Sequence, residues 1–248
     1  MILLINGSFW INGSFDNPAQ AILLDNGKIA QVLYELPENI SEYRVVDLMN
    51  SFAYPGFIDT HTHSFEGGLY SLMIDLSNAK DLSEVFARIN DGIQKTKPDD
   101  IVFAWNFDET TLLEKRYPTR AEIDSIVSDR SFVLRRRDGH SCLVNSHACN
   151  KIRNNAHSAK CDLNTDVFKG FDNDRIVHWF HTNVGDVLVL KAYKAAEEIA
   201  LRGGFGTIHT MVGDANDSIG HYKLLKENLS SFLIDYILYP QSFNIDAA

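Results

Sequence analysis

The chain has 248 residues, of which 45% are hydrophobic and 11% aromatic, so it contains enough apolar material for a sizeable folded core. Its 23 lysines and arginines are outnumbered by 33 aspartates and glutamates, and the net charge of −10 disfavours binding to nucleic acid or to anionic lipid. We therefore expect a globular protein that binds neither nucleic acid nor a membrane.

The first residues and the cysteines bear on the cellular compartment. The opening MILLINGSFW has no basic residue before its apolar run and is interrupted by Asn6-Gly7-Ser8, so it does not resemble a signal peptide. The cysteines Cys142, Cys149 and Cys161 form no CxxC pair, which disfavours a disulfide framework or a thiolate zinc site. We expect a cytoplasmic protein.

Residues 1–54 predict a small all-β unit. Short apolar runs alternate there with Asn-Gly pairs at positions 6–7, 12–13 and 26–27. Within LLDNGKIAQV the third pair tolerates the positive φ angles of a type I′ turn, so this segment predicts a β-hairpin.

From Tyr54 onward, apolar strands alternate with helical patterns. Strands are predicted in GFIDTHTH, DIVFAWNFD, SFVLRRRDGH, FGTIHTM and FLIDYILYPQ. Helices are predicted in DLSEVFARINDGIQKT with Asp81 or Ser83 as N-cap, in TRAEIDSIV, over residues 178–202 and in SIGHYKLLKEN. This alternation predicts an α/β fold with a parallel sheet or barrel.

The last residues, FNIDAA (243–248), resemble the first turn of a helix capped by Asn244. About five strands with barrel character precede this point, whereas a closed (β/α)₈ barrel needs eight. We therefore expect the chain to be the front part of a longer protein.

The segment PGFIDTHTH, Pro55 to His63, carries the strongest chemical indication. Residues two apart in a strand project from the same face, so His61 and His63 would point together with Cα atoms about 6.6 Å apart. Both imidazoles could then reach one metal ion at the carboxyl end of a strand, where parallel barrels keep their active sites. Catalytic zinc takes three protein ligands and a water, so the pair would form part of a site. Two unrelated surface histidines are the alternative.

Other histidines could line the same active-site opening at the carboxyl ends of the strands. His209 in GTIHTMVGD lies near the end of an apolar strand with Asp214 close behind, and His140 in LRRRDGHS follows another strand. Each is a candidate for the substrate pocket or for ligation, and local hydrogen bonding in a loop is the competing interpretation. HWFH places His178 and His181 three apart at a helix start, which makes them an alternative local metal pair. A solvated helix face explains them as well, and no carboxylate of an HExxH motif accompanies them, so we discount this pair.

Several blocks resemble the amidohydrolase superfamily of metal-dependent hydrolases. LLDNGKIAQV followed by VVDLMNSFAYPGFIDTHTH is similar to the entry segment of these enzymes. The blocks WNFDETTLLEKRYPTRAEIDSIVSDRSFVLRRRDGHSCLVNSHA, GGFGTIHTMVGD and YILYPQSFNIDA resemble the YtcJ-like branch, amidohydrolase family 3. The resemblance implies an incomplete TIM-like (β/α)₈ barrel over residues 55–248, with an inserted subdomain at about 67–129. Residues 1–54 would be the N-terminal part of a β-sandwich.

The resemblance also implies a site and a reaction. His61 and His63 would be two ligands of a divalent metal, with zinc expected, and His140 and His209 would be pocket candidates. A bridging lysine, two further histidines and an aspartate acting as general base would follow Ala248. The implied reaction is hydrolysis of a non-peptide C–N bond in a small molecule, and the chain alone is expected to be inactive because it lacks these later ligands.

Two alternatives stay open. TatD-like or PHP-like metal-dependent phosphohydrolases also use an early HxH strand, although theirs lies close to the N-terminus without a β leader. The second alternative is a non-catalytic truncated chain that serves as a binding or assembly piece. Metal content and turnover of amides or phosphoesters distinguish these possibilities.

Overall fold

The computed structural model describes residues 1–97, 100–154, 161–213 and 220–241. The chain divides into two compact units, Met1–Phe57 and Ile58–Ala248. The helix start predicted at 243–248 and the residue Asp214 lie outside the described residues. Within those residues, no helix is both long and apolar enough to cross a membrane.

The first unit is made of six short strands. They are β1 (Ile2–Ile5), β2 (Ser8–Phe9), β3 (Ala21–Asp25), β4 (Lys28–Leu33), β5 (Arg44–Asp47) and β6 (Phe52–Ala53). Four form a sheet in the order β4-β3-β1-β5, and β2 pairs with β6. Leu3, Ala21 and Leu23 form its small buried core.

The predicted hairpin in the first unit is confirmed. Strands β3 and β4 pair antiparallel, and the two residues between them, Asn26 and Gly27, have φ angles of 48° and 76°. Asparagine and glycine are the residues that adopt such angles at least cost, so the turn is determined by its own sequence. The β-sandwich stays a prediction.

The second unit alternates strands and helices along the chain. Its strands are β7 (Phe57–Thr62), β8 (Ile74–Asp75), β9 (Val102–Phe107), β10 (Phe132–Arg136), β11 (Ser141–Val144), β12 (Val167–Lys169), β13 (Phe205–Val212) and β14 (Asp235–Pro240). Its helices are α1 (Ser64–Ser71), α2 (Leu82–Ile93), α3 (Arg120–Asp124), α4 (Ser146–Arg153), α5 (Phe171–Thr182), α6 (Asp186–Arg202) and α7 (Gly220–Glu227).

Five of these strands form a sheet in the order β12-β11-β10-β9-β8. The sheet is buried on both faces, as the alternation along β10 demonstrates. Phe132 and Leu134 pack in a cluster with residues of α2 and α3, whereas Val133 packs in a second cluster with residues of α1, α5 and α6. Successive residues of a strand face opposite sides, so each face of the sheet has its own helical layer.

The remaining strands form a separate three-stranded sheet in the order β14-β13-β7. The described strands of the second unit therefore form two sheets and no closed barrel. One reason lies in the turn after β10, where Gly139 adopts a φ angle of 76° and the chain returns as β11, antiparallel to β10. The strand predicted in SFVLRRRDGH accordingly pairs with β9 and β11 and not with the strand that carries His61.

One helix prediction was wrong and another is confirmed. The helix expected over residues 178–202 is two helices, α5 and α6, separated at residues 183–185, where Asn183 ends the first and Gly185 precedes the second. Helix α2 begins as predicted, because the Asp81 carboxylate accepts a hydrogen bond of 2.8 Å from the Glu84 N–H.

Helix α3 begins with a capping box whose stability we expect to depend on pH. Thr119 and Glu122 satisfy each other's backbone N–H groups, and Glu122 also pairs with Arg116 at 2.8 Å. The hydrogen bonds from Arg116 and Thr119 hold the pKa of the Glu122 carboxyl at about 2. This stabilisation is complete above the unfolded pKa of about 4.5 and is lost as the pH falls through the folded-state pKa of about 2, because the folded-state pKa is the lower one.

We therefore expect Glu122→Gln to reduce the free energy of unfolding at neutral pH by about 0.5–1 kcal/mol, a small amount because the pair is partly exposed. Thermal melts of both proteins at a series of pH values check this. The two melting temperatures should converge only below about pH 2, and a gap that is constant over the whole series would contradict the assignment.

Candidate metal centre

His61 and His63 stand at the carboxyl end of β7. His61 is in the strand, and His63 follows it as the N-cap of α1. Both side chains are exposed, and their ring centroids lie 5.6 Å apart with the ring planes at 75°. The Asp59 carboxylate accepts a hydrogen bond of 3.1 Å from the His61 backbone N–H, which orders the strand just before the pair. The two imidazoles are close enough to approach a common ion.

Side chains on the face of β7 opposite to His61 attach the end of this strand to β13, the middle strand of its sheet. The Thr62 hydroxyl donates to the His209 carbonyl at 3.2 Å and lies 2.9 Å from the Ser64 hydroxyl. The Ser64 N–H in turn donates to Oγ1 of the buried Thr210 at 3.2 Å. Because alternate residues face opposite sides, these contacts direct the two imidazoles away from the buried side.

His209 lies on the same open face of the three-stranded sheet. Its neighbours Ile208 and Thr210 are buried, so the His209 side chain projects from the other face of β13. The His209 ring stacks on Tyr239 of β14 with centroids 5.6 Å apart, and Nδ1 lies 3.0 Å from the Tyr239 hydroxyl. The structure thus places His209 in the same sheet as His61, and the Tyr239 hydroxyl is the hydrogen-bond partner of Nδ1 of His209.

His140 lies elsewhere. It is exposed in the turn between β10 and β11 of the five-stranded sheet, and its backbone N–H donates to the Asp138 carboxylate at 3.0 Å. This backbone hydrogen bond agrees with the alternative interpretation, in which His140 belongs to a loop held by local hydrogen bonds. Its role in a substrate pocket stays a prediction.

The described residues do not complete a metal site around the pair. No group of three or more histidines, cysteines, aspartates or glutamates in this part of the chain is arranged to hold an ion. Two imidazoles are suitable donors for zinc, but a catalytic site requires a third protein ligand. Among the described residues, His61 and His63 can therefore supply two ligands of a metal ion but not a complete catalytic site.

Sequence reasoning missed a second group of residues near the end of β13. A cavity of about 20 Å³ is lined there by Phe65, Glu66, His181, Thr182, Met211, Gly213 and His221. Phe65 comes two residues after His63, and its ring lies 5.3 Å from that of His181 and 4.5 Å from that of His221. The sequence interpretation set His181 aside with His178. The cavity joins residues of α1, α5, β13 and α7, so no local motif could have predicted it.

Two solved structures have a fold similar to that of this chain. The chain is similar to an uncharacterized metal-dependent hydrolase from Pyrococcus furiosus, with a TM-score of 0.76 and 22% identity over 96% of this chain and 50% of that chain. It is equally similar to one from Pyrococcus horikoshii OT3, with a TM-score of 0.76 and 23% identity over 96% of this chain and 48% of the other. The chain therefore has the mixed α/β fold of these metal-dependent hydrolases.

The sequence comparisons then show which family a part of the chain resembles. Residues 44–163 match the model of the amidohydrolase family, and this range includes His61 and His63. The chain is 28% identical to the N-substituted formamide deformylase of Arthrobacter pascens over 162 residues, which are 63% of this chain and 30% of that protein. It is 25% identical over 107 residues to YtcJ of Bacillus subtilis (strain 168), covering 43% of this chain and 20% of YtcJ. The amidohydrolase resemblance predicted from the sequence is confirmed.

The matched segments are short relative to the proteins that contain them. A third relative, protein LONG AFTER FAR-RED 3 of Arabidopsis thaliana, is 28% identical over 152 residues, which are 59% of this chain and 26% of that protein. The chain thus spans about half the length of the similar structures and a third or less of these relatives.

Proposed function

We propose that this chain carries two ligands of a divalent metal centre, zinc being the expected ion, in a hydrolase that cleaves a non-peptide C–N bond of a small molecule. The observation that carries the proposal is the convergence of the His61 and His63 rings, 5.6 Å apart, at the exposed end of β7. The amidohydrolase family match, which covers this strand, supports it.

The neighbouring residues hold the pair ready for an ion. The turn at Asp59 and the bonds from Thr62 and Ser64 to β13 restrain the backbone on both sides of His61. Less conformational freedom is then lost when the imidazoles coordinate. A divalent metal at this position would supply an activated water and polarise a carbonyl oxygen.

The proposed substrates are N-substituted amides, and N-substituted formamides are the first compounds to test. The support is the similarity over 162 residues to a relative whose name specifies N-substituted formamides. We expect the chain alone to bind zinc weakly and to be inactive, because its described residues provide no third ligand beside the pair.

Zinc titration calorimetry of the wild type and of the variant with His61→Ala and His63→Ala tests the proposal. We expect the double variant to bind zinc at least about tenfold more weakly, because losing direct ligands exceeds the 10–100-fold cost of losing their supporting groups. His147→Ala is the matched control, since His147 lies on α4 and bonds to the Ser131 hydroxyl at 3.1 Å. Equal affinities in the double variant and the wild type would overturn the assignment.

The reaction class is tested separately, with zinc-loaded protein, an N-alkylformamide and a phosphomonoester. Absence of turnover on both is the expected result for the chain alone. Hydrolysis of the formamide would support the reaction and contradict the expected inactivity. Hydrolysis of the phosphomonoester alone would favour a TatD-like or PHP-like phosphohydrolase.

A further inference from the structure

A cavity of about 650 Å³ lies at the carboxyl ends of three adjacent strands of the five-stranded sheet. Strands β8, β9 and β10 run parallel, and the lining residues lie at 77–81 after β8, at 106–113 around the end of β9, and at Arg137 after β10. In open parallel sheets, ligands bind outside the carboxyl ends of the strands. The volume is also within the range of about 300–1,000 Å³ that is typical of small-molecule sites.

Strand β9 contains a β-bulge beside this cavity. Leu134 and Arg136 of β10 pair with Ala104 and Phe107 of β9, so β9 has one extra residue at this point. Asn106 lies within the bulge and has a φ angle of 61°, which asparagine adopts more readily than most residues. Bulges re-aim side chains and are common next to active sites. Here the bulge places Asn106 among the residues that line the cavity.

Hydrogen bonds join the loops that follow β8 and β9 into one wall. Nδ2 of Asn106 donates to the Asp75 carboxylate at 3.0 Å, and the same carboxylate accepts from the N–H and the hydroxyl of Ser77 at 2.9 and 2.8 Å. The Leu113 N–H donates to the Lys80 carbonyl at 2.9 Å. Because these loops are already held together, little conformational freedom is lost when a ligand binds between them.

The two carboxylates that line the cavity are already bonded within the protein. Oδ1 of Asp108 accepts from the hydroxyl and the N–H of Thr110 at 2.6 and 3.0 Å, and it lies 3.8 Å from Nη2 of Arg136. The hydrogen bond from the Thr110 hydroxyl is the main cause that lowers the pKa of Asp108. The other carboxylate, Asp81, accepts from the Glu84 N–H at the start of α2.

The two cations that line the cavity keep unused donors. A guanidinium has several N–H donors, and the described residues engage Arg137 through one contact, from Nη1 to Asp108 at 3.4 Å. The Lys80 ammonium forms no ion pair within the described part of the chain. Glu84 has its pKa lowered mainly by Arg88, with which it pairs at 2.5 Å, and to a lesser degree by the Lys80 charge. Charged donors without a full set of acceptors are complementary to an oxyanion.

We propose that this cavity binds the oxyanion group of a small molecule, a carboxylate or a phosphate, between the Lys80 ammonium and the Arg137 guanidinium. Lysine binds an oxyanion as a point charge, whereas the planar guanidinium can bond to two of its oxygens. Two N–H groups at the start of α2 already bond to the Glu114 and Asp81 carboxylates, so the side-chain cations carry the recognition. The inference goes beyond the proposed hydrolase function and does not rest on it.

Amide ¹H–¹⁵N NMR of the full chain tests the proposal, with sodium phosphate and sodium acetate as separate probes at low ionic strength. We expect saturable shifts of the Ala79, Lys80 and Thr111 amides, which border the cavity. The double variant with Lys80→Gln and Arg137→Gln should bind the anion at least about tenfold more weakly, because two charge-assisted hydrogen bonds are lost. Tighter binding of one probe identifies the group as a phosphate or a carboxylate. Absence of saturable shifts with both probes, or equal affinity in the double variant, would overturn the proposal.

A second double variant controls for net charge. Lys28→Gln with Arg44→Gln also removes two positive charges, but from exposed positions on β4 and β5 of the first unit. Its affinity for the probe should equal that of the wild type. A loss as large as that of the first double variant would mean that the anion responds to overall charge and not to this cavity.

A substitution at Leu113 tests the cavity without removing either cation. Leu113 lines the cavity and is 78% exposed, so a polar side chain there leaves the core intact. Leu113→Asp adds a negative charge beside the bound anion and should weaken binding several-fold, whereas the neutral Leu113→Asn should not. Equal affinities of these two variants would contradict the assignment. None of these measurements involves zinc or turnover, so failure of this proposal and failure of the hydrolase proposal can be told apart.

Discussion

Changing Gly68 to alanine is expected to reduce the free energy of unfolding by about 3 kcal/mol or more, because α1 and α6 touch at this glycine. A Cβ atom on Gly68 would lie 1.8 Å from the Ala192 carbonyl oxygen and 2.7 Å from its carbon. Both atoms are backbone of α6, so no side-chain rotation relieves the clash and the two helices must separate. Since α1 begins directly after His63, the separation should also weaken zinc binding.

The adjacent glycine provides the control. A Cβ on Gly67 would meet nothing within 4 Å, and Gly67 lies in the same helix. Gly67→Ala should therefore stabilise the protein by up to about 1 kcal/mol, the difference in helix propensity between the two residues. Urea unfolding of the three proteins decides the matter, and equal stabilities of Gly68→Ala and Gly67→Ala would show that the helices do not pack as described.

Replacing Asn145 with alanine is expected to cost about 4 kcal/mol, because one fully buried side chain satisfies four main-chain groups. Its Oδ1 accepts from the N–H groups of Phe132 and Ala148 at 3.0 and 2.9 Å. Its Nδ2 donates to the carbonyls of Val127 and Arg130 at 2.7 and 2.8 Å. The side chain thus caps α4 and connects it to the start of β10, and alanine would leave buried donors and acceptors without partners.

Asn164→Ala is the comparison for this change, because Asn164 is exposed and, within the described part of the chain, its side-chain amide donates to the exposed Asp162. It should alter the free energy of unfolding by less than about 0.5 kcal/mol. Hydrogen exchange adds a local measurement, since the amides of Phe132 and Ala148 should lose protection in Asn145→Ala. Retained protection at both amides would mean that the side chain does not serve them.

The candidate site was partly predictable for a geometric reason. The spacing of His61 and His63 reflects the two-residue period of a strand, which is local, and the rings do converge at the end of β7. His209 could be predicted only as one of several strand-end histidines, and its presence on the same face follows from the pairing of β7 with β13. His140 also follows a predicted strand, but it lies in the turn between β10 and β11 of the five-stranded sheet.

The sequence by itself determined the elements whose causes lie within a few residues. These are the β3–β4 hairpin at Asn26-Gly27, the start of α2 at Asp81 and the family resemblance carried by contiguous blocks. Only the tertiary structure decided how the strands of the second unit divide into two sheets and which side chains surround His181. The Tyr70 hydroxyl contacts His181 and Arg135, which are 111 and 65 residues away along the chain. Contacts at such separations depend on which faces bury apolar surface together, and no local pattern in one sequence records that choice.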